Sequence, residues 1–147
     1  MPAIRRADAV WEGDLMTGSG VVSASTSKAF TSLPVTWGSR TESTEGRTSP
    51  EELVAAAHAA CYCMALSNGL TKAGTPPTKL EVSATVTFDQ IPGGWKVASS
   101  ALTVLGHVSD SNQSAFQQAA EAAKDGCPIS GALKGNVSLS VEATLAG

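Results

Sequence analysis

The segment from residue 50 to about residue 72 constrains the fold more than any other, because it is apolar on nearly every face of a helix. It reads PEELVAAAHAACYCMALSNGLTK. Ser49 is suited to the N-cap, Pro50 to the first helical position, and two glutamates occupy the first turn. Gly74 and the proline pair after it end the segment. A helix that is apolar all round is a buried helix, and its many alanines allow other elements to approach closely.

Strand patterns surround this helix. Three short candidates precede it, at about residues 7–13, 20–25 and 29–38, and a polar loop covers residues 39–49. The elements predicted after the helix are two paired strands, a helix, one further helical turn and a last strand, at about residues 79–91, 95–108, 109–126, 127–133 and 136–145. Because the chain has no repeat and no linker, this order predicts one domain of the α+β class over residues 1–147.

Composition argues against several kinds of partner. Charged residues make up 16% of the chain, the net charge is −3, and there is no basic run, so nucleic acid is not expected as a partner. The first residues lack the apolar stretch of a signal peptide, and no uninterrupted apolar run approaches the roughly 20 residues of a membrane span. A cytoplasmic protein without a membrane partner is expected. The low charge is typical of a chain that hides some of its surface in an oligomer.

The three cysteines are too few, and odd in number, for a secreted disulfide framework. Cys61 and Cys63 both lie in the central helix, where positions two apart point about 200° from each other, so they cannot face one pocket. Either is also suited to the core, since a free cysteine behaves as a small hydrophobe. Cys127 stands between Gly126 and Pro128, near the N-cap of the next helical turn. Unpaired backbone N–H groups there favour a thiolate.

Two thiols distant in the chain suggest a peroxide-reducing dithiol. Such a site needs a thiolate, a cation that supports it, a carboxylate that holds the cation, and a second thiol. Arg40 and Arg47 precede the central helix, and Glu51 and Glu52 begin it. Glu51 lies about 15 Å from Cys61 along the helix axis, so any role at the site would pass through an arginine or across a subunit boundary. Both glutamates are equally suited to the helix dipole alone.

His58 allows further interpretations. It stands one turn before Cys61 and could activate that thiol, or it could bind zinc together with Cys61, Cys127 and His107. No paired ligand spacing supports the metal site, and none is predicted. A histidine among alanines is more often a core residue whose hydrogen bonds are satisfied.

Several motifs together give a resemblance that covers essentially the whole chain. WEGD, SRTES, PEELVAAAHAACYCMALS and AAKDGCPISGAL resemble the osmotically inducible protein C (OsmC) family, relatives of the organic hydroperoxide resistance (Ohr) proteins. The resemblance implies an intertwined homodimer, in which antiparallel sheets wrap around long central buried helices and the active sites lie at the subunit boundary. It also implies a thiol-dependent peroxidase that acts on organic hydroperoxides without a cofactor.

Carried over by position, the resemblance implies that Cys61 is the peroxidatic cysteine and Cys127 the resolving one. Glu51 matches the glutamate that orients an arginine, and Arg40 matches that arginine in the OsmC branch. The first strand loop, MTGSGVV, contains no arginine, which favours OsmC over Ohr. The loop from Arg40 to Pro50 is one residue longer than the family pattern, so Arg47 competes for the role. The cysteine at position 63 is interpreted as packing.

The expected reaction reduces a hydroperoxide to an alcohol through a sulfenic acid on Cys61 and a Cys61–Cys127 disulfide. An external dithiol, either lipoyl-type or thioredoxin-type, would then reduce the disulfide. Two alternatives keep the same residues: a non-catalytic dimeric module that binds a small ligand, and a redox sensor that uses the cysteines without rapid turnover.

Overall fold

The computed structural model describes all 147 residues and has an α+β architecture, as predicted. The strands are β1 (Ala7–Glu12), β2 (Ser19–Ala24), β3 (Leu33–Val35), β4 (Pro77–Ile91), β5 (Gly94–Val108) and β6 (Ser138–Leu145). The helices are α1 (Trp37–Thr41), α2 (Pro50–Lys72), α3 (Gln113–Gly126) and α4 (Pro128–Leu133). The chain forms two compact units, Met1–Leu53 and Val54–Gly147. The assignment of a single domain stays a prediction.

The first unit contains an antiparallel sheet in the order β1-β2-β3, followed by the short helix α1. The prediction of a loop at this point is wrong for residues 39–41. The Thr36 hydroxyl accepts the backbone N–H of Ser39, and the Ser39 hydroxyl accepts the N–H of Thr36, both at 3.0 Å. This reciprocal cap starts a helix in a polar sequence. Ser39 also donates to the carbonyl of Thr48 at 2.9 Å, which ties α1 to the residues just before α2.

The bounds predicted for the central helix are confirmed. The backbone N–H of Glu52 donates to the Ser49 hydroxyl at 3.1 Å, so Ser49 caps α2 as its sequence position indicates. At the other end Gly74 has a φ of +87°, a left-handed conformation that glycine adopts without steric cost.

The burial of α2 is uneven around the helix. Within one chain only one face is buried, formed by His58, Tyr62, Leu66 and Leu70 at a spacing of four residues. Met64, on another face, is 73% exposed. In the single chain α2 therefore presents an exposed apolar face around Met64. The burial of this helix on every side was expected in a homodimer and stays a prediction.

The apolar composition of α2 gives it a second property. Its mean hydropathy reaches 1.3 over an 18-residue window, which meets the length and composition of a membrane span, yet only 22% of that window is buried. The core helix of a water-soluble protein meets the same criterion. The absence of a membrane partner stays a prediction.

The second unit contains a sheet in the order β4-β5-β6. β4 and β5 form the predicted antiparallel hairpin, but β6 runs parallel to β5, so the expectation of purely antiparallel sheets is wrong here. Parallel strands need a crossover connection that returns the chain to the end of the sheet where the first strand began. Between β5 and β6 this connection consists of α3 and α4. α3 packs Phe116 and Ala120 into the core, and the Tyr62 hydroxyl donates to the Ala120 carbonyl at 2.8 Å.

Gly106 of β5 gives a test of this core. A Cβ atom at Gly106 would overlap the ring of Phe116, which is fully buried and cannot move aside. We expect Gly106→Ala to lower the free energy of unfolding by about 1–3 kcal/mol, the usual cost of overpacking, measured by urea denaturation. Gly131→Ala is the matched control, because nothing lies within 4 Å of its added Cβ. Equal stability of the two variants would contradict this packing.

Candidate active site

Cys127 occupies the junction that its sequence setting predicts. It is the residue before α4, with an extended backbone (φ −75°, ψ 121°), and its side chain is 1% exposed. Burial alone would raise the pKa of this thiol. The backbone N–H of Ser130, the Cys61 side chain, the Ser130 hydroxyl and the backbone N–H of Ile129 together outweigh that effect, so the pKa of Cys127 lies below its usual value.

The fold brings Cys61 beside Cys127. Cys61 lies on α2 and packs against the core cluster that contains Cys127. Burial raises the pKa of Cys61, and the neighbouring Cys127 side chain raises it further. Within the second unit, Cys127 is therefore the more acidic thiol. A Cys61 thiolate requires positive charge in addition to the groups that this unit supplies.

Cys63 belongs to different surroundings. It lines a surface cavity together with Met64 and Leu80, and Cys61 is not part of that cavity. Burial raises the pKa of the Cys63 thiol. Its position agrees with the helical geometry that separates the two cysteines of α2.

The predicted arginine and glutamate form an ion pair within the first unit. Arg40 Nη2 lies 2.8 Å from Glu51 Oε1, and Arg40 Nε donates to the two carboxylate oxygens at 2.9 and 3.1 Å. Glu51 is almost fully buried, while the Arg40 side chain is 30% exposed. α1 and its cap place Arg40 in this position. A bidentate pair of this kind fixes the plane of the guanidinium group.

The competing candidates have other partners. Arg47 Nη1 pairs with Glu45 at 3.3 Å, and the Arg47 side chain is partly exposed while that of Glu45 is largely exposed. Glu52 accepts the Thr48 hydroxyl at 2.7 Å at the start of α2. Of the two glutamates, Glu52 therefore serves the helix start, and Glu51 holds an arginine.

An apolar pocket of about 340 Å³ adjoins Arg40 in the first unit. Two tryptophans contribute to its wall, Trp11 and Trp37, together with Leu15 and Val35. The guanidinium carbon of Arg40 lies 5.8 Å from the centre of the Trp37 ring, within the range of a cation–π contact. The pocket thus combines an apolar wall with one cation.

His58 is fully buried and bonded at both ring nitrogens. Nδ1 lies 2.6 Å from the Ser100 hydroxyl of β5, and Nε2 lies 2.8 Å from the Ser130 hydroxyl of α4. Burial lowers the pKa of His58, so the ring is neutral near neutral pH. Since both nitrogens are occupied by hydroxyls, the ring is not placed to take the proton of Cys61.

Sequence reasoning missed Ser100 and Ser130. Ser130 follows Cys127 by three residues, the spacing at which a side chain in the first helical turn lies near the capping residue, and that spacing was a usable signal. Ser100 carried no signal, because its contact with His58 joins residues 42 apart in the chain.

Comparison with known proteins places these features in a family. Residues 43–142 match the sequence profile of the family described as "OsmC-like protein". The chain is 38% identical over 135 residues to "Peroxiredoxin OsmC" of Escherichia coli (strain K12), which covers 92% of this chain and 93% of that protein. It is 30% identical over 96 residues to "Organic hydroperoxide resistance protein OhrB" of Bacillus subtilis (strain 168), covering 65% and 68% of the two chains.

Solved structures show the same fold. The crystal structure of OhrB of Bacillus subtilis aligns with a TM-score of 0.75 at 23% identity over 95% of this chain and 98% of that one. An organic hydroperoxide resistance protein from Elizabethkingia anophelis aligns with a TM-score of 0.74 at 24% identity, over 98% and 100% of the two chains. With a family profile that matches most of its length and a relative 38% identical over nearly all of it, the chain belongs to the OsmC-like protein family.

Proposed function

We propose that this protein is a cysteine-based peroxidase that reduces organic hydroperoxides to alcohols. The observation that carries the proposal is that Cys61 of α2 packs against the core cluster that contains Cys127, the residue at the start of α4, although the two thiols are 66 residues apart in the chain. The names of two relatives, a peroxiredoxin and an organic hydroperoxide resistance protein, support the same reaction class.

In the proposed mechanism Cys61 is the nucleophile and Arg40 supplies the positive charge that it needs. The guanidinium, held in plane by Glu51, stabilises the Cys61 thiolate and the negative charge that develops on the peroxide oxygens. Within one helix Glu51 is too far from Cys61 to act directly, so it acts through the arginine. The proposal requires a positive charge at the Cys61 thiolate and assigns that charge to Arg40.

The chemistry uses sulfur alone. The Cys61 thiolate attacks the terminal oxygen of the hydroperoxide, the O–O bond breaks, and the alkoxide takes a proton and leaves as the alcohol. The sulfur has lost two electrons and is a sulfenic acid. The Cys127 thiolate attacks this sulfur, the S–S bond forms, and hydroxide leaves and is protonated to water. An external dithiol, lipoyl-type or thioredoxin-type, then gives two electrons and two protons to the disulfide.

The pocket beside Arg40 supports an organic rather than an inorganic peroxide. Trp11, Leu15 and Trp37 form apolar walls that suit the hydrocarbon part of a hydroperoxide, while the guanidinium suits its oxygen end. We propose a homodimer in which the apolar face of α2 around Met64 is covered by the partner subunit, since a face of this kind is unfavourable in water. A single domain and a cytoplasmic location complete the proposal.

Hydroperoxide consumption tests the proposal against its two alternatives. With excess dithiothreitol, the peroxidase consumes many equivalents of cumene hydroperoxide per subunit at a steady rate. A redox sensor gives one rapid equivalent and then stops, and a binding module consumes none. Either of the last two results would refute the peroxidase and leave the corresponding alternative.

A further inference from the structure

The proposed mechanism gives no role to His58, the buried histidine of α2. His58 joins three elements, because α2 carries the ring, β5 supplies Ser100 and α4 supplies Ser130. A neutral imidazole has one N–H donor and one bare nitrogen acceptor. Each hydroxyl has one proton, so the direction of every hydrogen bond in this chain of groups depends on the directions of the others.

The direction of these hydrogen bonds follows from the contact between Ser130 and Cys127. Ser130 is the third residue of the helix that Cys127 caps, and its hydroxyl and backbone N–H both favour negative charge on the Cys127 sulfur. The hydroxyl donates to the sulfur only if its oxygen accepts from His58, which requires the proton on Nε2. The bare Nδ1 then accepts from the Ser100 hydroxyl. All four groups thus form one directed chain from Ser100 to Cys127.

We propose that His58 and Ser130 are positioning residues for the resolving step: the imidazole turns the Ser130 hydroxyl toward Cys127 and so holds that sulfur as a thiolate facing Cys61. The resolving role of Cys127 rests on the proposed function, whereas the effect on the Cys127 thiolate does not. Like the N–H groups of α4, the chain of hydroxyls and imidazole is buried, so water does not compete for its bonds.

The relay, meaning the hydrogen-bonded chain Ser100–His58–Ser130–Cys127, supports one chemical step, in which a disulfide bond replaces a sulfur–oxygen bond. The Cys127 thiolate displaces hydroxide from the sulfenic acid of Cys61, so the Cys127–Cys61 bond forms as the sulfur–oxygen bond breaks. The proton that Cys127 gave up on ionising balances the one that converts the departing hydroxide to water. When Cys127 is instead a thiol that donates to Ser130, the Ser130 hydroxyl no longer donates to the sulfur and is able to donate to Nε2, which places the proton of His58 on Nδ1. A change of the His58 tautomer with pH would therefore report the ionisation of Cys127.

The test measures the pKa of Cys127 directly. In a Cys61→Ser/Cys63→Ser background, the rate of Cys127 alkylation by iodoacetamide is followed against pH. We expect Ser130→Ala to raise the pKa of Cys127 by about one pH unit, since it removes a hydrogen bond to a charged group. Ser100→Ala is the matched control, because it deletes a buried hydroxyl bonded to the same ring and should shift that pKa by much less.

An equal shift in the two variants, or no shift in either, would overturn the relay. From α2, Cys61 and Tyr62 also face Cys127. Burial raises the pKa of Tyr62 far above neutrality, so its proton does not titrate in the assay, and Cys61 is replaced by serine. The assay needs no peroxide, so the expected shift together with a wild-type protein that consumes no hydroperoxide would refute the proposed function and leave the relay standing.

The reduced wild-type protein supplies a second readout that does not depend on the folding of a variant. Nitrogen-15 NMR distinguishes a histidine protonated at Nε2 from one protonated at Nδ1. We expect His58 to carry its proton on Nε2 above the pKa of Cys127 and to move toward Nδ1 below it. A ring protonated on Nδ1 at both ends of this range would contradict the direction of the relay.

Discussion

Cys61→Ser is expected to lower hydroperoxide consumption by at least about 10³-fold, the scale on which enzymes lose activity when the nucleophile is removed. The reason is chemical, since a serine hydroxyl remains un-ionised at neutral pH and its oxygen does not form the equivalent of a sulfenic acid. Its small size difference from cysteine leaves the buried face of α2 intact. The rate is measured with cumene hydroperoxide and excess dithiothreitol.

Cys63→Ser is the matched control for this substitution. It makes the same chemical change two residues along the same helix, at a cysteine that lines a separate cavity and has a raised pKa. We expect this variant to keep nearly the full rate. If Cys61→Ser keeps the wild-type rate, or if Cys63→Ser loses as much, then Cys61 is not the nucleophile and the assignment fails.

Arg40→Met is expected to lower kcat/KM by about 10²-fold, the usual cost of removing one donor that stabilises charge in a transition state. In the second unit the Cys61 pKa is raised by burial and by Cys127, so without the arginine less thiolate is present at neutral pH. The same variant should therefore shift the pH profile of Cys61 alkylation upward, measured in a Cys127→Ser background. Arg40→Lys should restore only part of the rate, because lysine lacks the bidentate geometry toward Glu51.

Arg47→Met is the matched control, since Arg47 is partly exposed and pairs only with the exposed Glu45 among the carboxylates. It should leave both kcat/KM and the Cys61 pH profile unchanged. The account would be wrong if the two arginine variants had the same effect, or if Arg40→Met changed the rate without moving the profile.

Local sequence signals predicted much of this fold, because several independent signals indicated the same helix or strand. At the start of α2, Ser49, Pro50 and the two glutamates all indicate a helix N-terminus, and the helix begins there. The alternation along β4 and the turn before Gly94 predicted a hairpin whose register follows from the same pattern.

The errors have identifiable physical causes. The residues of α1 were predicted as the end of a strand (37–38) and the start of a loop (39–41), since the helix cap consists of Thr36 and Ser39 and contains no glutamate or glutamine of the usual capping box. The parallel pairing of β6 depends on where α3 and α4 return the chain, which local periodicity does not contain. The single-chain exposure of Met64 was not predicted, because an apolar helix face has the same pattern whether its own chain or another molecule covers it.

Some features of the candidate site could likewise be predicted from local sequence, and others could not. Cys127 was predicted at a helix start from Gly-Cys-Pro alone, but its lowered pKa depends on the adjacent Ser130 and Ile129 and also on Cys61, which lies 66 residues away in the chain. The choice of Arg40 over Arg47 needed the observed pairing with Glu51, because spacing left both open. The partners of His58 depend on contacts 42 and 72 residues apart, and such contacts leave no pattern in one sequence.

The central claim is that Cys61 and Cys127 act as one redox pair, and peptide mass mapping after one equivalent of cumene hydroperoxide tests it most directly. The account predicts a loss of two hydrogen atoms per chain, located in a disulfide that joins the peptides of Cys61 and Cys127, with Cys63 still a free thiol. Oxidation located at Cys63, or a Cys61 that is oxidised to sulfinic acid while Cys127 remains a thiol, would contradict it.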